Sequence, residues 1–412
     1  MHTDTPSRSP FPALGRMLAA TAVAVLIASC GGSSNSARSG DLVSASAFTA
    51  LAAINADSRL IVYRMTGVSG GLVDASALVF VPRGAAPAGG WPIVGWVHGT
   101  TTVGQATCAP SLDAVNLDGG LTADAAPLGI PGSGYAGLIA QLVASGYAVV
   151  APDLEGLGAV AKTPYPYYSL SSEGRSLVAA IQAARRNDPS LSNRWAAVGH
   201  SDGGHGVLAI ETYAAEAPEL FYRGAVAFAP FASVSDQVKL LDTFAAGDPA
   251  NLANYRAFQD LLVGMMTAGL TAQQPAFPLA NVMGADLVAL MPTIKGQCIF
   301  PAFVAVATAV GANPAGFAGF KAGWDTDPAM SAFLAANDPG AINGFVVRKP
   351  TLVLQGTADA NVFESQVAAL VAKLQAAGSP ALAYKTYTGA NHQTVVPAGT
   401  ADTIAFLDAN LR

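Results

Sequence analysis

The pentapeptide Gly199-His200-Ser201-Asp202-Gly203 constrains this chain more than any other stretch. The apolar run Arg194-Trp195-Ala196-Ala197-Val198 precedes it and a helix-compatible run, 205–214, follows. That is a strand–turn–helix setting, in which the turn is too tight for side chains two positions either side of its apex. Gly199 and Gly203 occupy those positions. The apex residue, Ser201, is forced to a strained backbone angle, and its hydroxyl is raised above the sheet where a base can reach it. The competing reading is a glycine-rich turn with an inert serine. It requires that the rest of the chain supply no partners for Ser201.

The surrounding pattern sets the fold class. Apolar, β-rich runs occur at 60–65, 77–81, 93–97, 147–151, 195–199, 225–229, 351–354 and 382–387. Helical patterns fall between the later ones, at 137–144, 173–186, 206–217 and 364–377, with a last one at 401–411. Continuous apolar strands alternating with helices predict an α/β protein with a parallel sheet covered on both faces. The first runs have no helices between them and predict an antiparallel hairpin at the sheet edge. Eight strands in this order match the α/β-hydrolase arrangement, with a core over 46–230 and 346–412. The rhythm breaks between Ala229 and Asn343. Helical patterns at 234–245, 252–268, 284–290, 303–310 and 328–335 predict a helical cap over 231–345, inserted between the sixth and seventh runs. Met265, Met266, Met283 and Met291 are expected to pack its core, with an adaptable apolar channel as the alternative.

Upstream of the core lies a targeting segment. Arg8 and Arg16 precede a short apolar stretch that ends in Ile27-Ala28-Ser29-Cys30. The stretch is too short for a membrane span. An aliphatic residue and two small ones before Cys30 resemble a bacterial lipobox, so residues 1–30 are expected to be a signal with Cys30 lipidated. Gly31 after the cysteine is compatible with outer-membrane sorting in a Gram-negative source. An ordinary secretory signal is the alternative. Residues 31–45 are expected to be a flexible Gly/Ser-rich tether. With Cys30 assigned to the signal, Cys108 and Cys298 form an even pair in a chain bound for an oxidising compartment, which predicts a Cys108–Cys298 disulfide. The net charge of −6 and the lack of any basic stripe argue against nucleic acid as a partner.

A serine nucleophile needs a base, and the base an orienting acid. Of five histidines, His392 stands where the base belongs, in the loop after the last strand and before the last helix. His200 and His205 flank the turn and are expected to point away from the hydroxyl. His98 is expected to anchor its loop. The acid is expected after the seventh run, where Gly356-Thr357-Ala358 leads to Asp359. Asp325, Asp327 and Asp338 are rivals, but none follows a strand. The oxyanion is expected to be held by the backbone N–H groups of Asp202 and Thr100, with Gly99 as the alternative to Thr100. No metal or cofactor is expected.

Several stretches taken together carry a resemblance. They are His98-Gly99-Thr100-Thr101, Cys108-Ala109-Pro110-Ser111, Gly146-Tyr147-Ala148-Val149-Val150-Ala151-Pro152-Asp153 with Glu155-Gly156-Leu157-Gly158, Ser172-Glu173-Gly174-Arg175-Ser176, and Gly199-His200-Ser201-Asp202-Gly203-Gly204. From about residue 61 onward the chain resembles the secretory lipase family. The resemblance implies a capped α/β-hydrolase whose triad falls on Ser201, Asp359 and His392, acting on acylglycerols or other apolar carboxylic esters. It also implies a disulfide tying the Cys-Ala-Pro-Ser loop to the cap. The family often has Gln after the nucleophile, where this chain has Asp202. That carboxylate is expected either to influence the base and anionic substrates or to face solvent. A serine peptidase, an acyltransferase and a non-catalytic surface lipoprotein are the alternatives. Against the peptidase stand the absence of blade-like repeats and the few carboxylates in the cap.

Overall fold

A computed structural model describes residues 36–118 and 132–412. The expected signal with Cys30, and the tether as far as residue 35, lie outside the described residues. The strands are β1 (Leu42–Ala47), β2 (Ala56–Thr66), β3 (Leu72–Pro82), β4 (Trp91–Val97), β5 (Ala148–Pro152), β6 (Leu191–His200), β7 (Phe221–Phe228), β8 (Thr351–Gly356) and β9 (Leu382–Tyr387). They form one sheet in the order β1-β2-β3-β5-β4-β6-β7-β8-β9. Contacts from β1 to β5 through β2 and β3 are antiparallel, and all the others are parallel.

Burial explains this division. Every residue of β5 is buried, as are nearly all of β4 and the second half of β6, because helices cover both faces there. In β2 only alternate residues, Ile61, Tyr63 and Met65, are fully buried, the pattern of a strand with one face covered. The sheet has nine strands rather than the eight expected, because β1 lies partly inside the expected tether. Its sequence, Leu-Val-Ser-Ala-Ser-Ala, is exposed after the first residue and so carries no apolar alternation. Ladder pairing such as Ala45 with Ile61 holds it, together with an Arg186–Asp41 ion pair of 2.8 Å at its start.

The helices are α1 (Ala114–Leu117), α2 (Tyr135–Ala144), α3 (Leu170–Asn187), α4 (Asp202–Leu208), α5 (Ile210–Ala214), α6 (Val234–Gly247), α7 (Leu252–Gln273), α8 (Ala285–Gly296), α9 (Ile299–Ala312), α10 (Pro328–Asn337), α11 (Glu364–Ala376) and α12 (Val395–Asn410). The expected single helix at 206–217 is broken at Ala209 into α4 and α5. The last helix begins at Val395 rather than 401. Asn391 Oδ1 starts it early by accepting the N–H groups of Gln393 (3.0 Å) and Thr394 (2.9 Å).

Helices α6 to α10 occupy the stretch between β7 and β8, and α7 packs against α6, α8, α9 and α10. Met266, Met283 and Met291 are buried in that packing, so the core reading holds for them. Cys108 and Cys298 form a disulfide with their Cα atoms 5.7 Å apart. Beside it Ile299 N–H donates to the Thr101 carbonyl (2.8 Å) and the Thr102 hydroxyl to the Gln297 carbonyl (2.9 Å). The loop after β4 is thereby joined to the α8–α9 junction. No helix among the described residues is long and apolar enough to cross a membrane.

Candidate active site

Ser201, between the end of β6 and the start of α4, has φ 57° and ψ −117°, a region that costs a non-glycine residue of order 1–3 kcal/mol. The neighbours hold it there. Its N–H donates to the Phe228 carbonyl (2.9 Å), and its carbonyl accepts from His205 (2.9 Å) and Phe231 (3.0 Å). The flanking glycines are required by close approach. A Cβ on Gly203 would lie 2.1 Å from the Val97 carbonyl oxygen, and one on Gly199 would lie 2.2 Å from that of Gly203.

Asp359 follows β8 and His392 follows β9, as the sequence places them. The Asp359 carboxylate accepts from His392 Nδ1 at 2.8 Å. Its other oxygen accepts the N–H groups of Asn361 (2.9 Å) and Val362 (2.8 Å), and Gln355 Nε2 stands 3.2 Å from Oδ2. A carboxylate ringed by donors fixes the imidazole hydrogen on Nδ1 and leaves Nε2 free to accept. Among the described residues no hydrogen bond joins the Ser201 hydroxyl to His392; the His392 ring is held from its Nδ1 side by Asp359. The rival acids are engaged elsewhere. Asp325 pairs with Lys239 (3.3 Å), Asp327 caps α10, and Asp338 accepts N–H groups from Ser233, Val234 and Gly340.

Ser201, His392 and Asp359 open on one cavity of about 630 Å³ together with Gly99 and Thr100. Its walls are apolar: Leu241 and Phe244 of α6, Phe258, Leu261 and Met265 of α7, and Phe303 of α9. Met265 is thus the one methionine of the expected four that faces the cavity. Among the described lining residues Asp359 is the only carboxylate, and there is no lysine or arginine.

Asp202 does not face solvent. Its carboxyl is buried, with Oδ2 accepting from the Tyr165 hydroxyl (3.1 Å) and Oδ1 without a partner among the described residues. Burial pushes its pKa well above the usual carboxylate range; nearby Glu173 pushes the same way, against His205 and Tyr165. Glu173 in turn lies 3.2 and 3.3 Å from His205 Nδ1, while Nε2 donates to the Asn337 carbonyl (2.6 Å) and Tyr168 stacks on the ring at 4.0 Å. Burial opposes a charge on His205, but the Glu173 carboxylate outweighs it and lifts the pKa to about 9. One carboxylate oxygen each of Glu173 and Asp202 and one ring nitrogen of His205 lie within 4.8 Å of one another. A protonated His205 offsets the charge of the buried Glu173 carboxylate beside it.

His98 has the anchoring role expected of it, with Nδ1 donating to the Gly99 carbonyl at 2.7 Å. Sequence reading gave no role to Tyr135, Glu173, Tyr165, His200 or His205. Their partners lie on different elements, and no spacing along the chain pairs them.

The sheet order, the strained serine and the Asp359–His392 pair define an α/β-hydrolase. A family model described as secretory lipase matches residues 135–412, and the chain belongs to that family. No curated protein sequence matches it. Among solved structures it is similar to Candida antarctica lipase A in its closed state (TM-score 0.68, 18% identity, 90% of this chain and 82% of that one). It is also similar to a ligand-bound form of the rice-cell-wall-degrading esterase LipA of Xanthomonas oryzae (0.65, 19%, 91% and 99%). A putative hydrolase of Legionella pneumophila superposes comparably (0.67, 18%, 89% and 97%).

Proposed function

We propose that this chain hydrolyses apolar carboxylic esters, acylglycerols among them, through an acyl-enzyme on Ser201. The observation that carries this reading is the 2.8 Å Asp359–His392 pair opening, with the strained Ser201, on one apolar cavity. His392 Nε2 takes the Ser201 proton as the hydroxyl oxygen attacks the ester carbonyl. Asp359 stabilises the imidazolium. His392 then protonates the departing alcohol, and activates the water that releases the acid. The Asp202 and Thr100 N–H groups hold the oxyanion; each such donor is typically worth about 3–4 kcal/mol of transition-state stabilisation. Gly99 is the weaker choice for the second donor, since its N–H is committed to the Tyr135 hydroxyl at 3.3 Å.

The α6–α10 insert acts in this reading as a cap whose apolar wall receives the acyl chain. A peptidase would need carboxylates to grip a peptide amino terminus. The only carboxylate of the described lining is already used on His392. Export with lipid attachment at Cys30 completes the proposal.

The test is hydrolysis of p-nitrophenyl esters from acetate to palmitate by the wild type and Ser201→Ala. Turnover that rises with chain length and vanishes in the variant supports a lipase. Turnover confined to acetate and butyrate supports a short-chain esterase with a tight cap. Ester turnover in neither protein refutes the hydrolase reading.

A further inference from the structure

We infer that His200 is a positioning residue, one that locks the base loop and the oxyanion loop into a single frame; this rests on His392 being the base. Three hydrogen bonds make one directed chain. The Gly99 N–H donates to the Tyr135 hydroxyl (3.3 Å). The Tyr135 hydroxyl meets His200 Nδ1 (2.5 Å). His200 Nε2 meets the carbonyl of His392 (2.8 Å).

The direction of the chain follows from chemistry. A carbonyl only accepts, so Nε2 of His200 carries a hydrogen. Burial, with His392 beside it, disfavours a charge on His200 and lowers its pKa well below the ordinary value. A neutral ring with hydrogen on Nε2 has a bare Nδ1, so Tyr135 must donate there. Having given its only hydrogen, the Tyr135 oxygen accepts from Gly99. No bond in the series can be reversed without stranding a buried group.

His200 and Tyr135 are 1% and 2% exposed, so water does not compete for these bonds. The His200 ring lies 4.5 Å from that of His392, centroid to centroid, and holds the carbonyl of the very residue whose Nε2 must face Ser201. At the other end, a Cβ on Gly99 would lie only 3.2 Å from that of Ser201. One neutral side chain thus spans from the base to the loop beside the nucleophile. It adds no charge to the cavity, and its hydrogen bonds go to Tyr135 and the His392 carbonyl, not to a reacting atom. Its effect on the reaction is therefore on orientation.

The experiment uses the full chain carrying His200→Phe, His200→Asn, His200→Gln or Tyr135→Phe. A glutamine amide nitrogen reaches roughly where His Nε2 stands and can donate to the His392 carbonyl. An asparagine reaches only the place of Nδ1. With p-nitrophenyl butyrate, His200→Phe and His200→Asn are expected to lose about 10- to 100-fold in kcat with KM within about twofold. His200→Gln is expected to recover most of that loss. Tyr135→Phe, which leaves the bond to His392 in place, is expected to lose about 3- to 10-fold in kcat alone, and serves if the His200 variants do not fold.

A folded His200→Phe with wild-type kcat overturns the inference, as does equal impairment of Asn and Gln. So does full kcat in Tyr135→Phe. Labelling by a fluorophosphonate separates the two levels. A wild type that neither labels at Ser201 nor turns over esters removes the hydrolase reading and this inference with it. An active, labelled wild type beside fully active His200 variants removes the positioning role alone.

Discussion

Replacing Asp359 by Asn tests the geometry most directly. The carboxylate oxygen facing Asn361 and Val362 accepts two backbone N–H groups at 2.9 and 2.8 Å, so an asparagine must keep its carbonyl there. Its amide nitrogen then faces His392 Nδ1 at 2.8 Å and Gln355 Nε2 at 3.2 Å. Both contacts become donor against donor. Gln355 can escape by turning its amide, at the expense of its bonds to the Val362 carbonyl (2.9 Å) and Gly356 carbonyl (3.2 Å). The buried loss costs about 1–3 kcal/mol of stability. His392 escapes by moving its hydrogen to Nε2, the atom proposed to accept the Ser201 proton. A wrongly placed tautomer costs about 10³- to 10⁴-fold in kcat, or about 4–5.5 kcal/mol of barrier. The assay is steady-state and burst-phase hydrolysis of p-nitrophenyl butyrate, with a thermal melt on the same samples. A folded Asp359→Asn protein with kcat within tenfold of wild type would refute the claim that Asp359 sets the His392 tautomer.

Three further outcomes follow from the packing. Gly203→Ala presses a Cβ 2.1 Å from a backbone oxygen that cannot rotate away, so urea titration should show a loss of about 3 kcal/mol or more, and a loss under 1 kcal/mol contradicts the close approach. Serines at both Cys108 and Cys298 release a loop with ends 190 residues apart, for which chain entropy sets an upper bound of about 5 kcal/mol; a melting temperature unmoved by the double change contradicts a structural disulfide. His205 has its pKa raised from 6.5 to about 9, so its contribution to stability is fully present below about 6.5 and lost as pH rises through about 9; urea midpoints measured from pH 6.5 to 9.5 should fall, and Glu173→Gln should flatten that fall.

What was legible in the sequence is what recurs along one strand or one turn. Ser201, Asp359 and His392 each come shortly after a strand (β6, β8 and β9), so strand ends alone bring them to one edge of the sheet. The eight buried or half-buried strands announced themselves by composition. The ninth, β1, did not, because five of its six residues are exposed and backbone pairing supplies its order. Asp202 was visible as a departure from the family pattern. That it turns inward depends on Glu173, Tyr165 and His205, which come from three different segments. Tyr135 and His200 are 65 residues apart, and His200 and the His392 carbonyl 192 apart. Separations of that size carry no periodic signal. A buried polar side chain does require a partner, but the sequence alone does not say which one.

The disulfide and the two hydrogen bonds beside it give the start of α9 and the loop carrying Thr100 a common foundation. Phe303, four residues into that helix, is part of the wall along the cavity. Selectivity and speed are therefore not independent traits at this end of the pocket. A substitution that shifts the first turn of α9 to admit a bulkier chain will also disturb the loop assigned to the oxyanion. The walls contributed by α6 and α7 have no such covalent tie to that loop. Protein engineering that seeks a new chain-length preference without a slower enzyme should begin at Leu241, Phe244 and Leu261.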